Sequence, residues 1–186
     1  MNERQIFKSE GFTVVEIIVV LAIIGVITSI IIFNIGSERK NSALLRSAQN
    51  LSLNLRQVEN YALSSKVFKT EGVPCGWGIH FSGTGSTSYI IFADLVVSAA
   101  SCSNQDFVRN PDGSEDFEAV NLESGITISG LSNGLSDVIF IPPDPIVKFR
   151  FTPDDQSQTS ASITLTNKDG APRVININKT GFISSP

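Results

Sequence analysis

The sequence predicts an α+β protein, a long N-terminal helix packed on an antiparallel β-sheet domain. Residues 12–33, FTVVEIIVVLAIIGVITSIIIF, form an apolar stretch carrying one charge, Glu16. Beyond it Leu44, Ala48, Leu51, Leu55, Val58 and Ala62 recur at intervals of 4, 3, 4, 3 and 4, the spacing of one helix face. After Pro74 the apolar segments become short and are bounded by Gly, Pro, Asn and Ser, as strands are.

The first element is a membrane-spanning helix over residues 12–36. The 22 residues of 12–33 would span about 33 Å as a helix, close to the thickness of a hydrocarbon core. The run is longer than the apolar core of a secretory signal, and no small-residue cleavage site follows it. Arg4 and Lys8 precede it and Arg39 and Lys40 follow, so flanking charge does not orient it.

The second element is an amphipathic stem over residues 37–72. Its apolar stripe predicts burial against a sheet, and Asn, Gln, Ser, Arg and Glu occupy the other faces. No proline occurs before Pro74, so residues 12–66 can form one helix roughly 80 Å long. Gly72 and Pro74 end the pattern.

Residues 73–186 predict the β-rich domain. GWGIHF and SYIIFADL flank a Gly- and Ser-rich loop and read as a hairpin. GITISGL, DVIFI, IVKFRF, ASITLTN and RVININ follow, with Asn133-Gly134 and Asp169-Gly170 as turn signals. Pro142, Pro143 and Pro145 place edges or breaks around IPPDP.

Composition narrows the function. The net charge of −4 and the lack of a basic run argue against a nucleic-acid partner. Cys75 and Cys102 are the two cysteines; behind an export-like N-terminus they read as one disulfide, with two free buried thiols as the alternative. His80 is the single histidine and lies between Ile79 and Phe81, the place of a structural or surface residue. No metal site, cofactor motif or nucleophile–base constellation is evident, and the reading is non-enzymatic. Trp77 and Phe92 read as core aromatics. In RNPDGSEDFEAV, oxygen-bearing Asn110, Asp112, Ser114, Asp116 and Glu118 alternate. Glu115 stands where a calcium loop needs glycine, so an acidic, solvated loop is expected.

Glu16 is the residue a plain anchor leaves unexplained, because an ionised acid is costly in a spanning helix. It lies four residues after Phe12, and Gly11 precedes Phe12. A cut after Gly11 would give Phe12 a free amine. Glu16 would then face that cation and the positive end of the helix.

GFTVVE followed by IIVVLAIIGVI resembles the N-terminal signal of type IV pilins and type II secretion pseudopilins. The resemblance covers residues 1–36. It implies a leader over residues 1–11, cleavage between Gly11 and Phe12 by a prepilin peptidase, and N-methylation of Phe12. It also implies that Glu16 neutralises the amine of a neighbouring subunit during assembly. The layout of LSLNLRQVENYALSSK and the final KTGFISSP is similar to minor pseudopilins of the GspH/FimT type. The central position of Cys75 and Cys102 and the proline-free stem depart from major pilins.

The expectation is a structural subunit of a type IV pilus or secretion pseudopilus. Its partners would be other pilin subunits, the peptidase, the inner-membrane assembly machinery and lipid. Its domain would lie outside the cytoplasmic membrane before assembly. The rival expectation is a single-pass, membrane-anchored ligand-binding protein that never polymerises.

Overall fold

Helix α1 spans Val14–Leu63, 50 residues. The protein is described from a computed structural model, which describes residues 11–95, 102, 107–143, 146–153, 157–168 and 172–185. Residues 1–10 of the leader expected over residues 1–11, and the Asp169-Gly170 turn signal, lie outside them. The chain divides into two compact units, Met1–Arg39 and Lys40–Pro186.

In the first unit, Val14–Ile31 has a mean hydropathy of 2.9 and none of it is buried. By length and composition it can cross a membrane.

In the second unit, the predicted stripe is the buried face of the stem. Leu44, Ala48, Leu51, Leu55, Val58 and Ala62 are all at most 2% exposed. The helix stops at Leu63, three residues before the expected end at residue 66 and inside the stem bound of residue 72. Ser65 adopts φ 51°, and its N–H donates to Ala62 O at 3.1 Å while Lys66 N–H reaches Tyr61 O at 3.0 Å. This is a Schellman stop with serine in the left-handed position. The hydrophobic contact usual in that motif is replaced by Lys66 Nζ, 3.4 Å from the centre of the Tyr61 ring.

The strands are β1 (Gly76–His80), β2 (Ser88–Asp94), β3 (Asp116–Asn121), β4 (Thr127–Leu131), β5 (Leu135–Ile141), β6 (Ile146–Phe151), β7 (Ser160–Thr166), β8 (Arg173–Asn178) and β9 (Ile183–Ser184). They form two antiparallel sheets, where the sequence suggested one. One has the order β3-β2-β1-β5-β6 and the other β4-β7-β8-β9. The stem stripe and the inner faces of both sheets share one hydrophobic core, with Trp77, Ile79, Ile91, Phe140, Ile163 and Ile175 among its members.

The two sheets part at Asn133-Gly134, which marks a crossover between sheets. Asn133 and Gly134 both have positive φ, 51° and 68°, and the chain leaves β4 there to pair β5 with β1. Only glycine fits: a Cβ at Gly134 would stand 2.3 Å from Thr152 O. The β1–β2 hairpin forms as predicted, with Gly78 opposite Phe92. Pro142 and Pro143 follow β5 and β6 is an edge strand, while Pro145 lies outside the described residues.

Strand β3 was not evident in the sequence. Asp116 and Glu118 have poor strand propensity, but Tyr89 and Ile90 of β2 supply backbone partners at Val120 and Ala119. Tertiary pairing overrides local preference there.

Candidate functional site

The candidate site begins where α1 begins. Phe12 is 85% exposed and precedes an uncovered apolar surface that continues through Ile31. Glu16 Oε2 accepts hydrogen bonds from Thr13 N–H at 2.9 Å and Thr13 Oγ1 at 3.0 Å. Thr13 Oγ1 in turn accepts from Glu16 N–H at 3.3 Å. This reciprocal pattern is a capping box, T-x-x-E, with Thr13 as the cap and Glu16 three residues on. Its signature, TVVE, stands in the sequence. Within one chain, therefore, Glu16 already has a local role. Gly11, Phe12 and Glu16 lie together at the start of the helix.

The cysteines form a disulfide, Cys75–Cys102, with Cα atoms 5.4 Å apart. It fastens the connection between β2 and β3 to the strand end at Gly76. Two further ties hold the same connection. The Glu115 carboxylate accepts Leu95 N–H at 3.0 Å and Asn110 N–H at 2.7 Å, joining its two ends. Arg109 forks onto Asp116 at 2.5 and 2.6 Å, and that contact raises the guanidinium pKa.

Phe92 is fully buried, as predicted of a core aromatic, but it lies outside the main core cluster. Its ring covers Gly78, where a Cβ would come within 2.7 Å of it. A Cβ at Gly76 would similarly meet Ile139 at 2.7 Å. Trp77, by contrast, faces the main core.

The alternating acidic segment is used internally. Ser114 donates from its N–H at 2.9 Å and its hydroxyl at 2.8 Å to Asp112, and these bonds hold the Asp112 carboxyl below its ordinary pKa. Glu115 is buried and Asp116 is paired with Arg109. The segment is thus a turn leading into β3, solvated at Asp112 as expected but pinned internally through Glu115 and Asp116. Among the described residues, no group of three or more His, Cys, Asp or Glu side chains is gathered for a metal.

His80 is half-buried, with Nδ1 2.7 Å from Oδ1 of the buried Asp137. Ser136 Oγ donates to the other Asp137 oxygen at 2.7 Å. The order is Ser–Asp–His, so the hydroxyl rests on the acid and not on the imidazole. A nucleophile needs the ring as its base, and this arrangement does not provide that contact. Asp137 was not singled out in the sequence, because its partner stands 57 residues away across the β1–β5 pairing.

Compared with known protein families, curated proteins and solved structures, the chain matches none of them.

Proposed function

We propose that the chain is a non-enzymatic filament subunit of the type IV pilin or pseudopilin kind. The observation that carries this reading is the apolar surface of Val14–Ile31, none of which is covered by the rest of the chain. Such a surface needs lipid or other apolar helices around it. A subunit of this kind meets both needs in turn, lipid before assembly and neighbouring copies afterwards. Head-to-tail contacts of that sort do not close and therefore build a helical filament.

The GFTVVE motif supports the rest of the reading. Gly11 and Phe12 form the processing site, Phe12 carries the methylated amine, and Glu16 pairs with the amine of an adjacent subunit. The β-rich domain lies outside the cytoplasmic membrane, a compartment in which the Cys75–Cys102 disulfide persists. The prepilin peptidase and an inner-membrane assembly machine are the partners implied.

Intact-mass analysis of protein extracted from membranes tests the reading. A chain beginning at Phe12 and carrying one methyl group is expected. A chain that retains Met1, or one that begins beyond Phe33, contradicts it.

A further inference from the structure

The sequence holds two Asn-x-Ser/Thr triplets, Asn50-Leu51-Ser52 and Asn178-Lys179-Thr180. The triplet is the acceptor pattern for asparagine-linked sugar, which needs an exposed site in a protein outside the cytoplasm. The fold treats the two copies differently.

Asn50-Leu51-Ser52 lies within α1. Leu51 is fully buried, Ser52 is buried, and Ser52 Oγ donates to Ala48 O at 3.0 Å. The hydroxyl that completes this triplet is used inside the helix and is closed to an enzyme.

Asn178-Lys179-Thr180 ends β8 and opens the turn to β9. Lys179 and Thr180 are exposed and Asn178 is half-buried. Gly181, at φ 81°, doubles the chain back. Asn178 Oδ1 accepts three hydrogen bonds, from Thr180 N–H at 3.0 Å, Thr180 Oγ1 at 2.7 Å and Phe182 N–H at 2.9 Å. The asparagine thus holds the turn through its oxygen, and among the described residues no contact engages its Nδ2. Three donors on Oδ1 draw charge toward the oxygen and favour the imidate-like form of the carboxamide, in which nitrogen keeps a lone pair for attack.

We propose that Asn178 carries an asparagine-linked sugar, transferred outside the cytoplasm from a lipid-phosphate-linked donor. In the transfer Nδ2 gives one proton to a base of the transferase and bonds to the anomeric carbon of the sugar. The bond from that carbon to the phosphate oxygen breaks, and the lipid phosphate leaves with the electron pair. The three bonds to Oδ1 use no hydrogen of Nδ2, so the turn keeps them in the product and the sugar projects from an exposed turn. The proposal rests on the reading that the β-rich domain lies outside the cytoplasm, but not on polymerisation.

The test uses the full chain isolated from the membranes of the cells that make it. Peptides containing Asn50 and Asn178 are analysed by mass spectrometry, before and after an amidase that releases asparagine-linked sugar in heavy-oxygen water. Sugar is expected on Asn178 in most chains, with conversion to oxygen-labelled aspartate on release, and none on Asn50. Thr180→Ser should keep the sugar and Thr180→Ala should lose it, with unchanged Trp77 emission showing that both variants are folded. Unmodified Asn178 in wild-type chains whose Cys75–Cys102 bridge is formed overturns the site and leaves the compartment standing. Free thiols in the same chains defeat the compartment, and the proposal with it. Sugar on Asn50, or on Asn178 of the Thr180→Ala variant, overturns the selection assigned to the exposed turn.

Discussion

Thr13 and Glu16 bind each other reciprocally at the start of α1, through three hydrogen bonds of 2.9, 3.0 and 3.3 Å. The carboxylate thus has a structural role in the single chain beside its proposed role between chains, and two substitutions separate them. Glu16→Gln keeps a side chain that can close the capping box but removes the charge. Thr13→Val removes the cap and keeps the charge. If Glu16 serves assembly, the Gln variant should enter sheared filaments at least tenfold less than wild type, and Thr13→Val much more nearly normally. Equal losses from the two variants, normalised to subunit in the membrane, would assign Glu16 to the cap alone.

The stem stripe gives a second prediction. Leu51 is fully buried and Leu53, two residues on, is 61% exposed. Leu51→Ala should destabilise the domain by about 2–5 kcal/mol through lost burial and a cavity. Leu53→Ala should change stability by about 0.5 kcal/mol or less. Urea unfolding followed by Trp77 fluorescence measures both. Comparable effects would mean that the stem face is misassigned.

Alkaline stability follows from Tyr89. Asn54 Nδ2 donates to its phenol oxygen at 2.7 Å, and burial pushes the phenol pKa up to about 12. In the unfolded chain a tyrosine ionises near pH 10. The contribution is therefore intact below about pH 10 and is lost as pH rises toward 12, because the unfolded state releases its proton first. A shift of this size corresponds to about 2–3 kcal/mol at most. Tyr89→Phe should flatten that part of the stability profile. A slope between pH 10 and 12 unchanged in the variant would assign it to other groups.

The disulfide gives the fourth. Cys75 and Cys102 are separated by 27 residues, and a loop of that length contributes about 3–4 kcal/mol in the chain-entropy account. Cys75→Ser with Cys102→Ser should lower the unfolding midpoint accordingly and loosen the β2–β3 connection against β1. Hydrogen exchange at β1 and β2 reads the second effect. Alkylation of freshly isolated wild-type protein without reductant should leave both sulfurs unmodified.

Much of the architecture was legible because its signals are local and periodic. A run such as IIVVLAIIGVI can satisfy its backbone alone, so its helix follows from composition. The spacing from Leu44 to Ala62 marks the buried stem face whatever covers it. The β1–β2 hairpin is likewise written in its flanking strands and the glycines between them. The same locality placed Gly11, Phe12 and Glu16 together, within one and a half helical turns.

What the sequence left open depended on pairing between distant residues. Asn133-Gly134 signals a turn, but whether the next strand pairs back or crosses to another sheet depends on β1, which offers a free edge to β5. Strand β3 exists because β2 supplies hydrogen-bond partners to a segment whose acids disfavour extension. The Schellman stop at Ser65 needs no glycine once Lys66 lies over Tyr61. Asp137 beside His80 and Arg109 on Asp116 are likewise products of the fold. Helical and strand periodicities fix which face of an element is apolar; only packing decides which other face it meets.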